Sequence, residues 1–513
     1  QPLAAQAGLE VLRHGGNAFD AAIATAAVLN VVEPGSAGIG GDVFMLAWSA
    51  REHRLIAING SGRAPAALTP QYLAAKGIKG HMPEHGIDSA TVPGAVDAWD
   101  AILHRAGTKS FRELLQPAID IAEQGFGVTQ RIANDWIYGA TILAGDADSV
   151  RTYLPGGAPP APYAVFRNPD LALSFRALQR GGRDAFYKGE IAQAIVAKSK
   201  ALGGTMTLDD LAHTHADWVE PITTRYHGYD IYELPPNTQG FAVLEMMNIL
   251  EACAPKLGLD LAALGPASPQ YWHLLVEAKK LAYADLYAHN ADPGFSPVPV
   301  ERLISKDHAA SLCGRIDPKH AGAPDAHGDP VGGTVYLATA DRWGNMVSFI
   351  YSIYDSFGSG VTVPGHGFVL NDRAALFSLD PASPNLLAGG KRPFHTLIPG
   401  FVMHEGQPWM AYGLMGGSQQ AQGHMQVLVD MIDLGANPQA ASDAARFTHA
   451  QATNTLRLES SLYDRVGAAL AGMGHQVSAD NGEDMGGYQA IRRDGEVYRA
   501  ASDHRKDGQA AGW

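Results

Sequence analysis

The sequence is poor in cysteine: 513 residues hold two, Cys253 and Cys313. Neither sits in a Cys-x-x-Cys or Cys/His ligand spacing, which argues against a structural zinc site. Two buried thiols are the expected state, with a single disulfide as the alternative. Positive charge is also scarce, with 38 Lys and Arg against 52 Asp and Glu and a net charge of −14. No basic stripe supplies phosphate contacts, so a nucleic-acid partner is not expected, nor is docking on an anionic membrane. The surplus acid serves solubility. No apolar run reaches the roughly 18 residues that a membrane helix needs. No metal or cofactor motif stands out, so none is expected, and there is no internal repeat. The sequence starts at Gln1 rather than Met, so its native N-terminus is not visible. A cytoplasmic location is favoured, with a periplasmic or secreted one left open.

Glycine, by contrast, is abundant at 58 residues, which implies many turns and close backbone approaches. The length suggests two to four domains or one large layered unit. Residues 3–13 read as a helix stopped by Gly15 and Gly16. Residues 18–32 are apolar nearly all round and predict a buried helix. The glycine-rich loop 35–42 lies between that helix and a strand at 43–49, the wrong order for a dinucleotide fingerprint. Short strands are expected within 220–240, and amphipathic helices at 242–253 and 271–290. Segment 316–333 is rich in Pro, Gly, Asp and His and reads as an exposed, flexible linker. Strands follow at 334–341 and 346–354 as a hairpin, then at 368–370, 396–404 and 408–414, before a helix around 421–434. Helices around antiparallel strands predict an α+β fold, a four-layer αββα sandwich.

Thr334 opens a strand directly after the linker, behind Gly332 and Gly333. Cleavage of the Gly333–Thr334 bond would give this residue a free α-amine beside its own hydroxyl. Such an amine has a pKa near ~7.7–8.0 and can act as general base to that hydroxyl. The same hydroxyl can attack the preceding carbonyl, so the bond can cut itself. A second element, GLMGGS at 413–418, lies between a strand and a helix, where glycine N–H groups can hold a developing oxyanion. Each feature alone is equally a turn.

Seven segments resemble, in order and spacing, the gamma-glutamyltransferase family of N-terminal nucleophile hydrolases. They are 4–42, TVPGAVDAW (91–99), ELPPNTQG (233–240), EAKKLAYADLYAHNADP (277–293), GNMVSFIYSIYDSFGSG (344–360), KRPFHTLIP (391–399) and 413–447. The resemblance implies the αββα fold and a precursor cut into a large chain, 1–333, and a small chain, 334–513. The two stay associated, and a homodimer of that pair is left open. It implies a small-molecule amide substrate, Thr334 as nucleophile, Gly416 and Gly417 as oxyanion donors, and Ser352 as a supporting hydroxyl.

The departures from the family concern the substrate. Where an arginine usually grips the glutamyl α-carboxylate stands Ser61, with Arg63 two residues away on the same strand face. The usual acid for the α-ammonium is replaced by Leu376, and Arg373 appears nearby. The usual tandem serines are His395 and Thr396, and the usual asparagine after the supporting hydroxyl is Tyr354. A zwitterionic head group needs a partner of each sign, or a buried charge goes unpaired. Arg373 suits a carboxylate without a neighbouring ammonium, and His395 offers a further donor. The expectation is therefore a self-processing amide hydrolase for an oxamate-like or glutaryl-like acyl group, akin to the family's cephalosporin-acylase-like and oxamate-amidohydrolase-like branch. The alternatives are a true gamma-glutamyltransferase and an unprocessed, non-catalytic member. For Arg373 itself, the alternative is a surface pair with Asp372 or Asp380.

Overall fold

The computed structural model describes residues 1–324, 329–330 and 332–513. Eleven strands build its two main sheets. In chain order they are β1 (Asp42–Ser49), β2 (Arg54–Gly60), β3 (Asp217–Val219), β4 (Ile222–Tyr226), β5 (Tyr229–Glu233), β6 (Val335–Ala340), β7 (Met346–Ser352), β8 (Gly400–His404), β9 (Gln407–Met415), β10 (Gly487–Asp494) and β11 (Val497–Ser502). The first sheet runs β3-β2-β1-β7-β6 and the second β11-β10-β9-β8-β5-β4, and every pairing within them is antiparallel.

Period-two alternation decides which side chains meet which layer. In β1, Val43, Met45 and Ala47 face a helical layer, while Phe44 and Leu46 face the second sheet. In β9, Met410, Tyr412 and Leu414 face helices, and Ala411 faces the first sheet. Three apolar clusters result, one between each pair of adjacent layers, which makes the four-layer αββα sandwich. Outside the first sheet lie α1 (Pro2–Arg13) and α2 (Ala18–Val32). All fifteen residues of α2 are buried, as its lack of a polar face requires, and Asn17 and Asp20 close its N-terminus as a capping box. Outside the second sheet lie α3 (Gly240–Lys256), α4 (Pro269–His289) and α5 (Gln419–Ile432).

Three expectations need correction. Residues 368–370 form no strand: Val369 makes only an isolated bridge to Thr362, because the chain is held there by separate loop contacts such as Asn371 N–H to the Gly40 carbonyl. The strand expected at 396–404 begins only at Gly400. Cys253 and Cys313 are not free thiols but a disulfide, with Cα atoms 5.1 Å apart. Cys253 lies on α3 and Cys313 on the turn after the packed helix Lys306–Leu312, which brings the two buried side chains face to face. Of the expected linker 316–333, residues 325–328 and 331 lie outside the described residues. Elsewhere in it Ile316 is buried, Gly322 N–H donates to Glu277 and Lys280 donates to the Gly322 carbonyl.

Candidate active site

Strand register alone assembles the first half of the site. Asp42 pairs with Ser352, and Val335 with Tyr351, so Thr334, one residue before β6, arrives next to Ser352 with Asp42 on its far side. Thr334 is 3% exposed. Its Oγ1 donates to the Gly333 carbonyl oxygen at 2.5 Å, and Ser352 Oγ donates to that same oxygen at 2.8 Å. The Tyr354 N–H donates to Ser352 Oγ at 2.8 Å and fixes its direction. Tyr354 has a φ of 85°, a left-handed conformation that a tyrosine rarely adopts and that the surrounding turn enforces.

The second sheet delivers the glycines. β9 ends at Met415, and Gly416 (φ 121°) and Gly417 (φ 61°) turn the chain into α5. Residues with a side chain resist both angles. The Gly417 carbonyl accepts from Gln239 Nε2 at 3.0 Å, and the Ser418 N–H donates to the Pro330 carbonyl at 2.8 Å. The glycine loop is thus tied directly to the segment that leads to Thr334.

Behind Tyr354 lies a buried charged group. Arg373 is 0% exposed, and its guanidinium sits 4.9 Å from the centre of the Tyr354 ring. Its Nη1 donates to Thr396 Oγ1 at 2.9 Å, and its Nε lies 3.8 Å from Asp42 Oδ2. Nε and Nη2 have no hydrogen-bond partner among the described residues. Burial pulls the Arg373 pKa down to about 10, which leaves it charged at neutral pH. His395 Nε2 lies 3.0 Å from Asp42 Oδ2, and its Nδ1 accepts the Leu397 N–H at 3.2 Å, which puts the ring proton on Nε2. Burial first, then the Arg373 charge, lowers the His395 pKa to about 3, so the ring is neutral. Asp42 Oδ1 accepts from the N–H groups of Gly62 and Gly94.

The sequence candidates therefore divide. Thr334, Gly333 and Ser352 meet at one carbonyl, and Arg373, Tyr354 and Thr396 form a neighbouring buried cluster. Gln239, which donates to both the Thr396 and Gly417 carbonyls, links that cluster to the glycine loop. His395 spends both ring nitrogens inside the protein, so it has no donor to spare. Arg63 turns away, with Nη2 3.4 Å from Asp217, Nη1 3.6 Å from Asp292, and a hydrogen bond to the Gly390 carbonyl. Arg373 is not a surface residue, and it pairs with neither Asp372 nor Asp380. Asp372 instead accepts the Asp355 N–H at 3.1 Å, and burial raises its carboxyl well above the usual range. Asp42 and Gln239 had escaped the reading of the sequence. The signals were there: a lone acid heading the apolar strand DVFMLAW, and the penultimate glutamine of ELPPNTQG.

A cavity of about 620 Å³ reaches Thr334 from the side of Ser36, Tyr138 and Asp355, and Gly416 also lines it. Arg373 does not line it; Tyr354 and Gly332 stand between. A Cβ on Gly332 would come within 2.9 Å of the Tyr354 ring, so only glycine passes there.

The comparisons with known proteins agree with this geometry. Residues 4–513 match the family model described as gamma-glutamyltranspeptidase. The chain is 38% identical to a glutathione hydrolase-like proenzyme of Bacillus subtilis (strain 168), over 99% of this chain and 97% of that one. It is 36% identical to an oxamate amidohydrolase proenzyme of Klebsiella pneumoniae, over 100% of this chain and 97% of the other. The crystal structure of a cephalosporin acylase from Bacillus halodurans superposes with a TM-score of 0.94 at 40% identity, covering 100% of this chain and 94% of that one. The chain belongs to the gamma-glutamyltranspeptidase family and is an N-terminal nucleophile amidohydrolase.

Proposed function

We propose that the chain cuts itself between Gly333 and Thr334, and that the freed Thr334 then hydrolyses amides of a small acyl group carrying a carboxylate. The observation behind the first half is the pair of hydroxyls on the Gly333 carbonyl. Thr334 Oγ attacks the Gly333 carbonyl carbon and forms a C–O bond, while Ser352 Oγ donates to the oxygen as it gains charge. The C–N bond then breaks, the hydroxyl proton passes to the departing amine, and water hydrolyses the ester. The products are a Gly333 carboxylate and a free Thr334 amine. In the mature enzyme that amine takes the hydroxyl proton, Thr334 Oγ attacks the substrate amide, and the N–H groups of Gly416 and Gly417 hold the oxyanion. An acyl ester forms, the amine product leaves, and water releases the acid.

The observation behind the second half is Arg373, a fully buried cation beside Asp42 whose Nε and Nη2 have no hydrogen-bond partner among the described residues. A ligand carboxylate would satisfy both. The acids nearest Arg373, Asp42 and Asp372, are turned onto protein partners, so neither stands ready for an α-ammonium beside it. This favours oxamate-like or glutaryl-like amides over γ-glutamyl ones. Self-cleavage withdraws Gly332 from the Tyr354 ring and opens the path to Arg373. Relatives named as an oxamate amidohydrolase and an acylase support this chemistry. The Cys253–Cys313 disulfide supports an oxidising compartment, periplasmic or secreted, over the cytoplasmic location favoured from sequence.

The test has two parts. Purified protein should run as two fragments on a denaturing gel, the smaller beginning Thr-Val-Tyr-Leu. A substrate panel should rank plain carboxylate amides above γ-glutamyl amides. A single intact, inactive chain would refute the first half, and a preference for γ-glutamyl substrates the second.

A further inference from the structure

The segment before the scissile bond is held by groups that the hydrolytic mechanism does not use. α4 carries Lys279, Tyr283 and Tyr287 at four-residue spacing, so they share one face. Tyr287 OH donates to Asp329 Oδ1 at 2.9 Å, and the Ala452 N–H donates to Asp329 Oδ2 at 3.1 Å. Both oxygens of one linker carboxylate are thus gripped, from two different parts of the fold. Lys279 lies on the same face, fully buried, 3.9 Å from the centre of the Tyr283 ring, with hydrogen bonds to Gln451 and His449. Burial lowers its pKa to about 7, and the Asp329 charge opposes that shift, so the two groups attract. One residue further on, the Pro330 carbonyl accepts the Ser418 N–H at 2.8 Å, and the Ser418 carbonyl accepts from Tyr283 OH. The α4 face therefore holds the linker at Asp329 and braces the glycine loop at Ser418.

We propose that Asp329 is a positioning residue for self-cleavage. Its carboxylate docks in the receptor made by Tyr287 OH and the Ala452 N–H, and this sets the Gly333 carbonyl against Thr334 and Ser352. The proposal rests on the self-cleavage reading above. Its energetic logic is local. Glycines at 332 and 333 leave the last residues before the cut loosely specified, so without an anchor the segment samples many geometries, few of them productive. An anchor four residues upstream, fixed to the same loop that carries Gly416 and Gly417, removes most of that freedom. The carboxylate lies outside the mature reaction, in which Asp329 touches none of the residues around Thr334.

The experiment follows precursor and product on a denaturing gel after a pulse of cell-free synthesis. Asp329→Ala and Tyr287→Phe should each lengthen the half-time of cleavage on the order of tenfold, the scale of one charge-assisted hydrogen bond. The double variant should be no slower than Asp329→Ala alone, because both changes remove one contact. Asp329→Asn, which keeps an acceptor but no charge, should fall between Asp329→Ala and the parent. Asp317→Ala, in the same linker but with a carboxylate that bonds to the nearby Lys319 and His320, should mature at the parental rate. Once fully cut, Asp329→Ala should turn over substrate with the parental kcat and KM. Parental cleavage rates in Asp329→Ala would overturn the proposal while leaving self-cleavage intact. So would a double variant slowed by the product of the two single effects. A parent protein that never cuts itself would overturn both readings.

Discussion

Two regions a few residues apart are built from opposite materials. Around the Gly333 carbonyl the partners are neutral: the hydroxyls of Thr334 and Ser352 and the N–H of Tyr354. Around Tyr354 the other way, the groups are charged and sealed from water: Arg373 and Asp42, with the neutral His395 between Asp42 and the backbone. The difference follows from what each must hold. An oxyanion exists only in passing, and aligned dipoles stabilise it without burying a permanent charge. A carboxylate ligand is charged throughout its stay, so its site needs a standing counter-charge, and the protein bears the desolvation cost of keeping one. Under the proposed function, reaction chemistry and substrate choice are thereby separated in space.

That separation can be broken by mutation. The largest effect belongs to Thr334→Ala, which should abolish both cleavage and turnover; a cut at the same bond in this variant, seen by mass spectrometry, would mean another agent cleaves it. Gly417→Val should reduce kcat on the order of 10²–10³-fold in processed enzyme, the loss reported by removal of one oxyanion donor. Near-parental kcat would remove the glycine loop from the mechanism. Arg373→Met should leave maturation at its parental rate and raise KM for carboxylate-bearing amides roughly 10–100-fold, the equivalent of ~1.5–3 kcal/mol, with little change on neutral acyl amides. If it slows maturation instead, the two regions are one. The smallest effect is thermodynamic. His395 and His475 have folded pKa values of about 3, below the ordinary value near 6.5. Below that ordinary value the unfolded chain binds protons that the folded chain refuses, so their stabilising contribution is complete above about pH 6.5 and is lost as pH falls toward 3. Thermal melts should show Tm falling across this window, and less steeply in His395→Gln.

Legibility in the sequence tracked locality. α2 was readable because fifteen residues without a polar face have one place to go, whereas Thr334 stood out through seven family-like segments in order, since a glycine-flanked hydroxyl at a linker-to-strand junction is by itself equally a turn. Arg373 was readable as a charge gained where an acid is expected, but its burial was not, because it depends on Asp42, 331 residues away in sequence. The disulfide was hidden for the same reason: Cys253 and Cys313 are separated by 60 residues, and their approach is set by how a helix packs, not by local pattern. Val369 and its neighbours looked like a strand because apolar content was right, yet only the short segment 361–363 pairs with them among the described residues, through the single bridge Thr362–Val369. Asp329 was lost in a segment that read as linker, where composition says nothing about which single carboxylate is gripped.

Both sheets mix strands from either side of the Gly333–Thr334 bond. In the first, β1 pairs with β7; in the second, β5 pairs with β8; and the disulfide joins two positions upstream of the bond. Severing that one peptide therefore turns a single molecule into two interleaved ones with no covalent tie between them. Heat that parts them leaves each with bare strand edges, and recovery becomes a bimolecular search in competition with aggregation. An uncut precursor would refold as one chain, whereas an enzyme cut at Gly333–Thr334 would, once parted, have lost the connection along which it was first threaded together. Its durability is thus a matter of how slowly it comes apart.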